Sequence, residues 1–151
     1  MSKKSTNKKR YSEEFTKKDI IANLFANHPL HIKFKSKNQS EFYKLLAEYE
    51  ITLCSGLAGC GKTHIAMYHA LEALKDTKST IEKIYLVKPN IEVGEKLGYL
   101  PGTVEEKLFM YMLSFYDVLE SMVDGNLIES LRESKYINEL PIQFLRGRTL
   151  N

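Results

Sequence analysis

Little in the sequence supports a covalent or metal-built scaffold. Two cysteines are too few for a disulfide framework, and the four histidines match no zinc spacing. A reducing, cytoplasmic setting is the expectation that follows. Long hydrophobic runs are missing too. The longest stretch without a charged side chain covers residues 20–32, thirteen residues that include His28, Pro29 and His31. A membrane helix needs about 20 apolar residues, so no membrane span is expected. The lysine-rich N-terminus has no apolar core behind it, and no secretory signal is expected either.

What is present is the composition of an ordinary folded domain. Of the 151 residues, 43% are hydrophobic and 27% charged, which excludes disorder throughout. A chain of this length buries roughly 68–70% of its unfolded surface and needs no covalent staple. The net charge of +3 is unevenly spread. Residues 1–18 carry seven basic side chains (Lys3, Lys4, Lys8, Lys9, Arg10, Lys17, Lys18) against Glu13 and Glu14, and the remainder is slightly acidic. Residues 1–18 therefore read as a basic disordered tail and residues 19–151 as the domain. A solvated terminus is one account of the tail. An arm drawn to nucleic-acid phosphates by counterion release is the other.

Hydropathy periodicity divides the domain into elements. Ile20, Ile21, Leu24 and Phe25 predict a helix over residues 19–26, ended near Pro29. Residues 31–34 alternate as a short strand would. Ser36 opens a helix to about Tyr49, with Phe42, Leu45, Leu46 and Tyr49 on one face. Residues 51–55 read as a buried strand with Cys54 in its core. Residues 62–75 read as a helix carrying Ile65, Ala66, His69, Ala70 and Ala73. His64 and His69 do not share a helix face and read as structural. Residues 83–87 form a second strand stopped by Pro89, and residues 90–102 a glycine-punctuated loop. Thr103 and Glu106 make a capping box for a long helix to about Val123, with Val104, Leu108, Tyr111, Phe115, Val118 and Met122 on its apolar face. Asn126 with Glu129 opens a short helix, and residues 142–145 read as a third strand. This alternation of strands and helices indicates an α/β layered sheet.

The sharpest signal is Gly56-Leu57-Ala58-Gly59-Cys60-Gly61-Lys62-Thr63. It fits the phosphate-binding P-loop pattern, between an apolar run and a helical one. Glycines permit positive φ and close backbone approach, so loop N–H groups can turn around a phosphate at a helix N-terminus. Lys62 supplies a mobile charge for the β- and γ-phosphates, and the Thr63 hydroxyl can ligate Mg²⁺. Cys60 is either a small space-filling residue or a thiol whose pKa can fall beside the helix start.

A second set of residues extends the comparison. The stretch Lys88-Pro89-Asn90-Ile91-Glu92-Val93-Gly94-Glu95-Lys96-Leu97-Gly98-Tyr99-Leu100-Pro101-Gly102 resembles a segment of the PhoH-like, phosphate-starvation-inducible family of P-loop ATPases. So do Glu105-Glu106-Lys107, Tyr116-Asp117 and Arg146-Gly147-Arg148-Thr149-Leu150-Asn151. The resemblance runs from about Gln39 to Asn151. It implies a RecA-like parallel sheet with flanking helices, ATP and Mg²⁺ as ligands, kinship with helicases, association with RNA in some members, and occurrence in bacteria and phages. Localisation would be cytoplasmic, in the host cytoplasm if phage-encoded.

Gln39 matches a glutamine that is similar to the adenine-reading glutamine of helicases, and an amide can both donate to and accept from the adenine edge. It also sits three residues after Ser36, where it would close a helix end. Arg146 and Arg148 admit three roles: reaching a neighbour's γ-phosphate in a homo-oligomer, touching an RNA backbone, or lying solvated. Lys88 stands where the family usually has arginine, which lysine cannot replace as a planar clamp.

In the family, a strand with the Mg²⁺-binding aspartate and the water-activating glutamate follows the Arg-Gly-Arg-Thr-Leu stretch. This sequence stops at Asn151. Glu92, Glu95, Glu105 and Glu106 are candidate substitutes that no motif favours, and solvated charges are the better reading of them. The sequence thus predicts an incomplete P-loop domain, a fragment or one completed by another chain, with exposed edges on residues 51–55. It would bind ATP weakly and hydrolyse little alone. The competing reading is a non-enzymatic nucleic-acid-binding protein that uses its basic arm and keeps nucleotide as a structural ligand. A small-molecule kinase with residues 90–102 as lid lacks an arginine-rich lid.

Overall fold

Thr16 uses both its hydroxyl and its backbone to start a helix. The computed structural model describes residues 16–88, 103–145 and 147. Thr16 Oγ1 accepts the Asp19 N–H at 3.2 Å, and the Asp19 carboxylate accepts the Thr16 N–H at 2.8 Å. This capping box opens α1 (Lys17–Leu24). Lys17 and Lys18, assigned to the tail above, therefore belong to the helix. They dock it on the loop after α3, through an ion pair from Lys17 to Glu82 at 3.0 Å and a bond from Lys18 to the Asp76 carbonyl at 3.2 Å.

Helix α2 (Lys37–Glu48) follows a Ser36 cap, and α3 (Lys62–Lys75) has the bounds its periodicity predicts. Strand β1 (Ile84–Lys88) pairs in parallel with β2 (Ile137–Pro141), from Ile84 against Ile137 to Lys88 against Pro141. Parallel strands need a long crossover, and α4 (Val104–Glu120) and α5 (Gly125–Glu133) lie within it. The core gathers Ile84, Leu86 and Ile137 from the sheet. Met112, Tyr116, Leu119, Leu127 and Leu131 join from the crossover, Ile21 from α1 and Leu71 and Leu74 from α3. No helix of the described residues is long and apolar enough to cross a membrane.

The architecture is α/β as expected, but several elements differ. Residues 31–34 form no strand. Residues 51–55 form no strand either. Ile51 is 83% and Leu53 93% exposed, and Cys54 is exposed too. A strand exists only through its ladder, and no described segment pairs with this one. Among the described residues the sheet therefore has two strands. Residues Ile142–Leu145 are a 3₁₀ helix, and the second strand lies just before it. Asp124, not Asn126, caps α5, accepting the Asn126 N–H at 2.8 Å.

The apolar faces shift as well. On α2 nothing is buried, and Leu45 and Tyr49 are exposed. On α3 the buried set is Ile65, Met67, Tyr68, Leu71 and Leu74, because the helix packs against α1, α2 and α4 together. On α4 the buried side chains among those described are Met112, Tyr116 and Leu119, with Phe115 and Val118 partly buried at their edge; Val104, Leu108 and Tyr111 lie outside the described side chains.

Glu139 enters the sheet on β2 by acquiring two partners. Arg132 Nε donates to it at 2.7 Å, and the Tyr116 hydroxyl donates to the same oxygen. Burial, then that carboxylate, pushes the Tyr116 phenol up. Arg132 also lies 4.3 Å from the Phe109 ring centre.

The joint between α2 and α3 is aromatic and anionic. Tyr43 packs its ring 6.0 Å from Tyr68 and 5.6 Å, edge-on, from His69. Both phenols donate to Glu72, that of Tyr68 at 2.7 Å. The Glu72 bond, with burial, pushes the Tyr43 phenol up from 10.0 to about 12. A raised pKa means that the fold favours the protonated phenol. This contribution is complete below pH 10, the ordinary tyrosine range, and is lost as pH rises through 12. Urea midpoints of the native chain should therefore fall more steeply from about pH 10 to about pH 12 than those of Tyr43→Phe. Parallel slopes would contradict the assignment.

Candidate functional site

The loop from Gly56 to Thr63 joins the exposed segment 51–55 to α3. Gly59 and Gly61 lie at φ +75° and +90°, in the left-handed region that glycine alone enters without strain. Gly61 is the N-cap of α3 and offers no side-chain oxygen, so the helix start is left without a side-chain cap. Among the described residues, no hydrogen bond takes up the N–H of Gly59, Gly61, Lys62 or Thr63. Unpaired N–H groups at a helix N-terminus attract anions through partial positive charge.

Lys62 adds a full charge at the same place. Its Nζ donates to the Gly56 carbonyl at 2.8 Å and to that of Leu57 at 2.7 Å, and lies 3.6 Å from Cys60 Sγ. The ammonium thus folds back over its own loop. Cys60 is exposed and does not fill core space. Thr63 is exposed at the first turn of α3.

Gln39 reaches the loop from α2. Its Oε1 accepts the Lys35 N–H at 2.6 Å, and its Nε2 donates to the Cys60 carbonyl at 3.0 Å. Ser36 Oγ accepts the Gln39 N–H at 3.2 Å. Only half of the expected capping box forms, since the amide serves Lys35 and not Ser36. A Cβ at Gly61 would stand 2.8 Å from Gln39 Nε2, and the φ of +90° strains any side chain placed there.

These residues enclose a cavity of about 270 Å³, lined by Gln39, Gly56, Leu57, Cys60, Gly61 and Lys62 among others. Ala58, Gly59 and Thr63 are in the loop but outside the lining. The periodicity reading missed the lining residues Asn38, Phe42, Ser55 and Ile65. Phe42 follows Gln39 by three residues and so shares its helix face, a signal already present in the spacing. A larger hollow of about 670 Å³ opens along the second half of α3, lined by Tyr43, His69, Glu72 and Asp76. It lacks the free N–H row, and its own ammonium, that of Lys75, donates to the His28 carbonyl at 3.4 Å, so size does not choose the site.

The remaining sequence candidates lie apart. Arg146, Arg148, Glu92 and Glu95 fall outside the described residues. Glu106 is occupied as a helix cap, accepting the Thr103 N–H at 2.7 Å. Lys88 donates to Ser114 Oγ at 2.7 Å and lies 5.0 Å from the Phe115 ring centre. No group of three or more metal-ligating side chains gathers among the described residues. A magnesium ion here would have the Thr63 hydroxyl and otherwise phosphate and water oxygens, the donor set that this ion ordinarily accepts.

Comparison with known proteins supplies an independent line. The family model described as "PhoH-like protein" matches residues 31–151. A PhoH-like protein of Mycobacterium tuberculosis is 40% identical over 120 residues, covering 80% of this chain and 34% of that protein. One from Bacillus subtilis is 34% identical over 145 residues, covering 96% of this chain and 44% of that protein. Protein PhoH of Escherichia coli K12 is 32% identical over 117 residues, covering 76% of this chain and 32% of that protein. The chain thus matches between about a third and somewhat under half of the length of these relatives.

Proposed function

The chain belongs to the PhoH-like family, and on that premise we propose that the loop from Gly56 to Thr63 binds the triphosphate of ATP together with Mg²⁺. The observation that carries the reading is the set of unpaired N–H groups on Gly59, Gly61, Lys62 and Thr63 beside the Lys62 ammonium. That arrangement suits a multiply charged phosphate tail. Lys62 would exchange its two carbonyl partners for phosphate oxygens. Thr63 would hold the metal, which neutralises phosphate charge when bound.

The proposed activity is binding within a RecA-like P-loop framework. Hydrolysis coupled to RNA is the further step that the family resemblance implies. It requires a residue that orients the attacking water and a metal held by the protein, and the described lining of the cavity contains no carboxylate for either task. Assembly with further copies or with a complementing chain is likewise a proposal. Calorimetric titration with magnesium and ATP, set beside AMP, tests the binding claim. Saturable heat from ATP and at least about tenfold weaker binding of AMP are expected, since AMP lacks the outer phosphates that Lys62 neutralises. Equal affinities, or no heat from either, would contradict it.

A further inference from the structure

We infer that Gln39 is a positioning residue for the phosphate loop, holding the Cys60–Gly61 peptide in place, and does not read the nucleotide base. The inference rests on the triphosphate reading above. Its first support is that both ends of the amide are already engaged. Oε1 takes the Lys35 N–H at 2.6 Å and Nε2 gives to the Cys60 carbonyl at 3.0 Å. The reverse amide orientation would set oxygen against carbonyl and NH₂ against N–H, so this assignment alone satisfies both neighbours. Reading adenine would need a donor and an acceptor turned together toward the base, at the expense of these bonds.

The second support is mechanical. The carbonyl of Cys60 and the N–H of Gly61 belong to one planar trans peptide, in which they point in opposite directions. Tying the oxygen to Gln39 therefore turns the Gly61 N–H away from α2. That N–H is one of the unpaired donors of the loop. The contact is also close, because a Cβ on Gly61 would collide with Nε2 at 2.8 Å.

The third support is the rigidity of the mounting. Tyr43 lies four residues beyond Gln39, on the same face of α2. It is held on α3 by the rings of Tyr68 and His69 and by its bond to Glu72. Ser36 fixes the entry turn from the other side. Gln39 thus connects a helix already docked on α3 to the loop that starts α3. A hydrogen bond made before the ligand arrives lowers the ordering cost of binding.

Inorganic tripolyphosphate separates the two roles, because it carries the phosphates without the base. Magnesium-loaded ATP and tripolyphosphate are titrated into the native chain and into Gln39→Met and Gln39→Ala. The methionine keeps length and bulk but offers neither donor nor acceptor to the loop. Both ligands should weaken in both variants by a similar factor, about five- to tenfold, as for one lost hydrogen bond. The melting midpoint of Gln39→Met should stay within about 2 °C of the native chain. A loss confined to ATP would overturn the inference, since the amide would then read the base. So would unchanged affinities, or a loss that only follows a lowered melting midpoint. If the native chain binds neither ligand, the triphosphate reading falls and this inference with it. If the native chain binds both ligands and the variants equal it, only this inference falls.

Discussion

Lys62→Ala is expected to lower the affinity for magnesium-ATP by roughly 30- to 150-fold, or about 2–3 kcal/mol, the scale of a charged hydrogen bond. The reasoning follows from where the ammonium lies. It is already within reach of the loop, held by the Gly56 and Leu57 carbonyls at 2.8 and 2.7 Å. Those two bonds are exposed, so removing them exchanges protein partners for water at little cost to the fold. The free variant should therefore unfold in urea at nearly the native midpoint while losing most of its nucleotide binding. AMP affinity, which the outer phosphates do not support, should change much less. A variant that binds ATP as well as the native chain would remove Lys62 from the site. A variant that loses ATP only because it no longer folds would do the same.

Leu71→Ala is expected to cost about 2–5 kcal/mol of stability, the range for deleting a fully buried leucine side chain. Leu71 has no exposed surface and sits in the shared core of α1, α3, α4 and the sheet. It occupies the middle of the helix whose first residue is Lys62. Close packing on three sides leaves the cavity little freedom to collapse, which places the cost toward the upper end of the range. The check is urea denaturation, with a lowered midpoint and an unchanged slope. A shift worth less than about 1 kcal/mol would mean that α3 is not the structural axis of the domain. The Lys62 and Leu71 variants are a contrasting pair on one helix, one altering binding alone and the other stability.

What could be read without coordinates follows the range of the physics. The P-loop is local chemistry, since glycines at set intervals and a Lys-Thr pair determine what eight successive residues can do. Residues 62–75 were legible as a helix because the run between Gly61 and Asp76 contains neither glycine nor proline and repeats its apolar residues at helical spacing. The capping box of Thr103 and Glu106 likewise needs only three residues of context.

Residues 51–55 failed for the opposite reason. An apolar run states what a strand would be made of, but pairing depends on a partner elsewhere in the chain. On α4, Phe109, Met110, Tyr111, Met112 and Leu113 are consecutive, so periodicity could not fix which of them faces inward. The strand at Ile137–Pro141 was hidden by Glu139, a residue that argues against burial until Arg132 and Tyr116 are brought to it. Gln39 shows the same limit at the site. Its position near a helix start was visible, but the Cys60 carbonyl twenty-one residues away was not.

The most direct measurement is of the loop N–H groups themselves. Amide resonances of Gly59, Gly61, Lys62 and Thr63, followed by NMR as magnesium-ATP is added, report whether those donors meet an anion. The account predicts saturable shifts largest at these four positions, with tripolyphosphate moving the same set. Shifts that leave them unmoved, or that gather along the hollow beside His69 and Asp76, would contradict it.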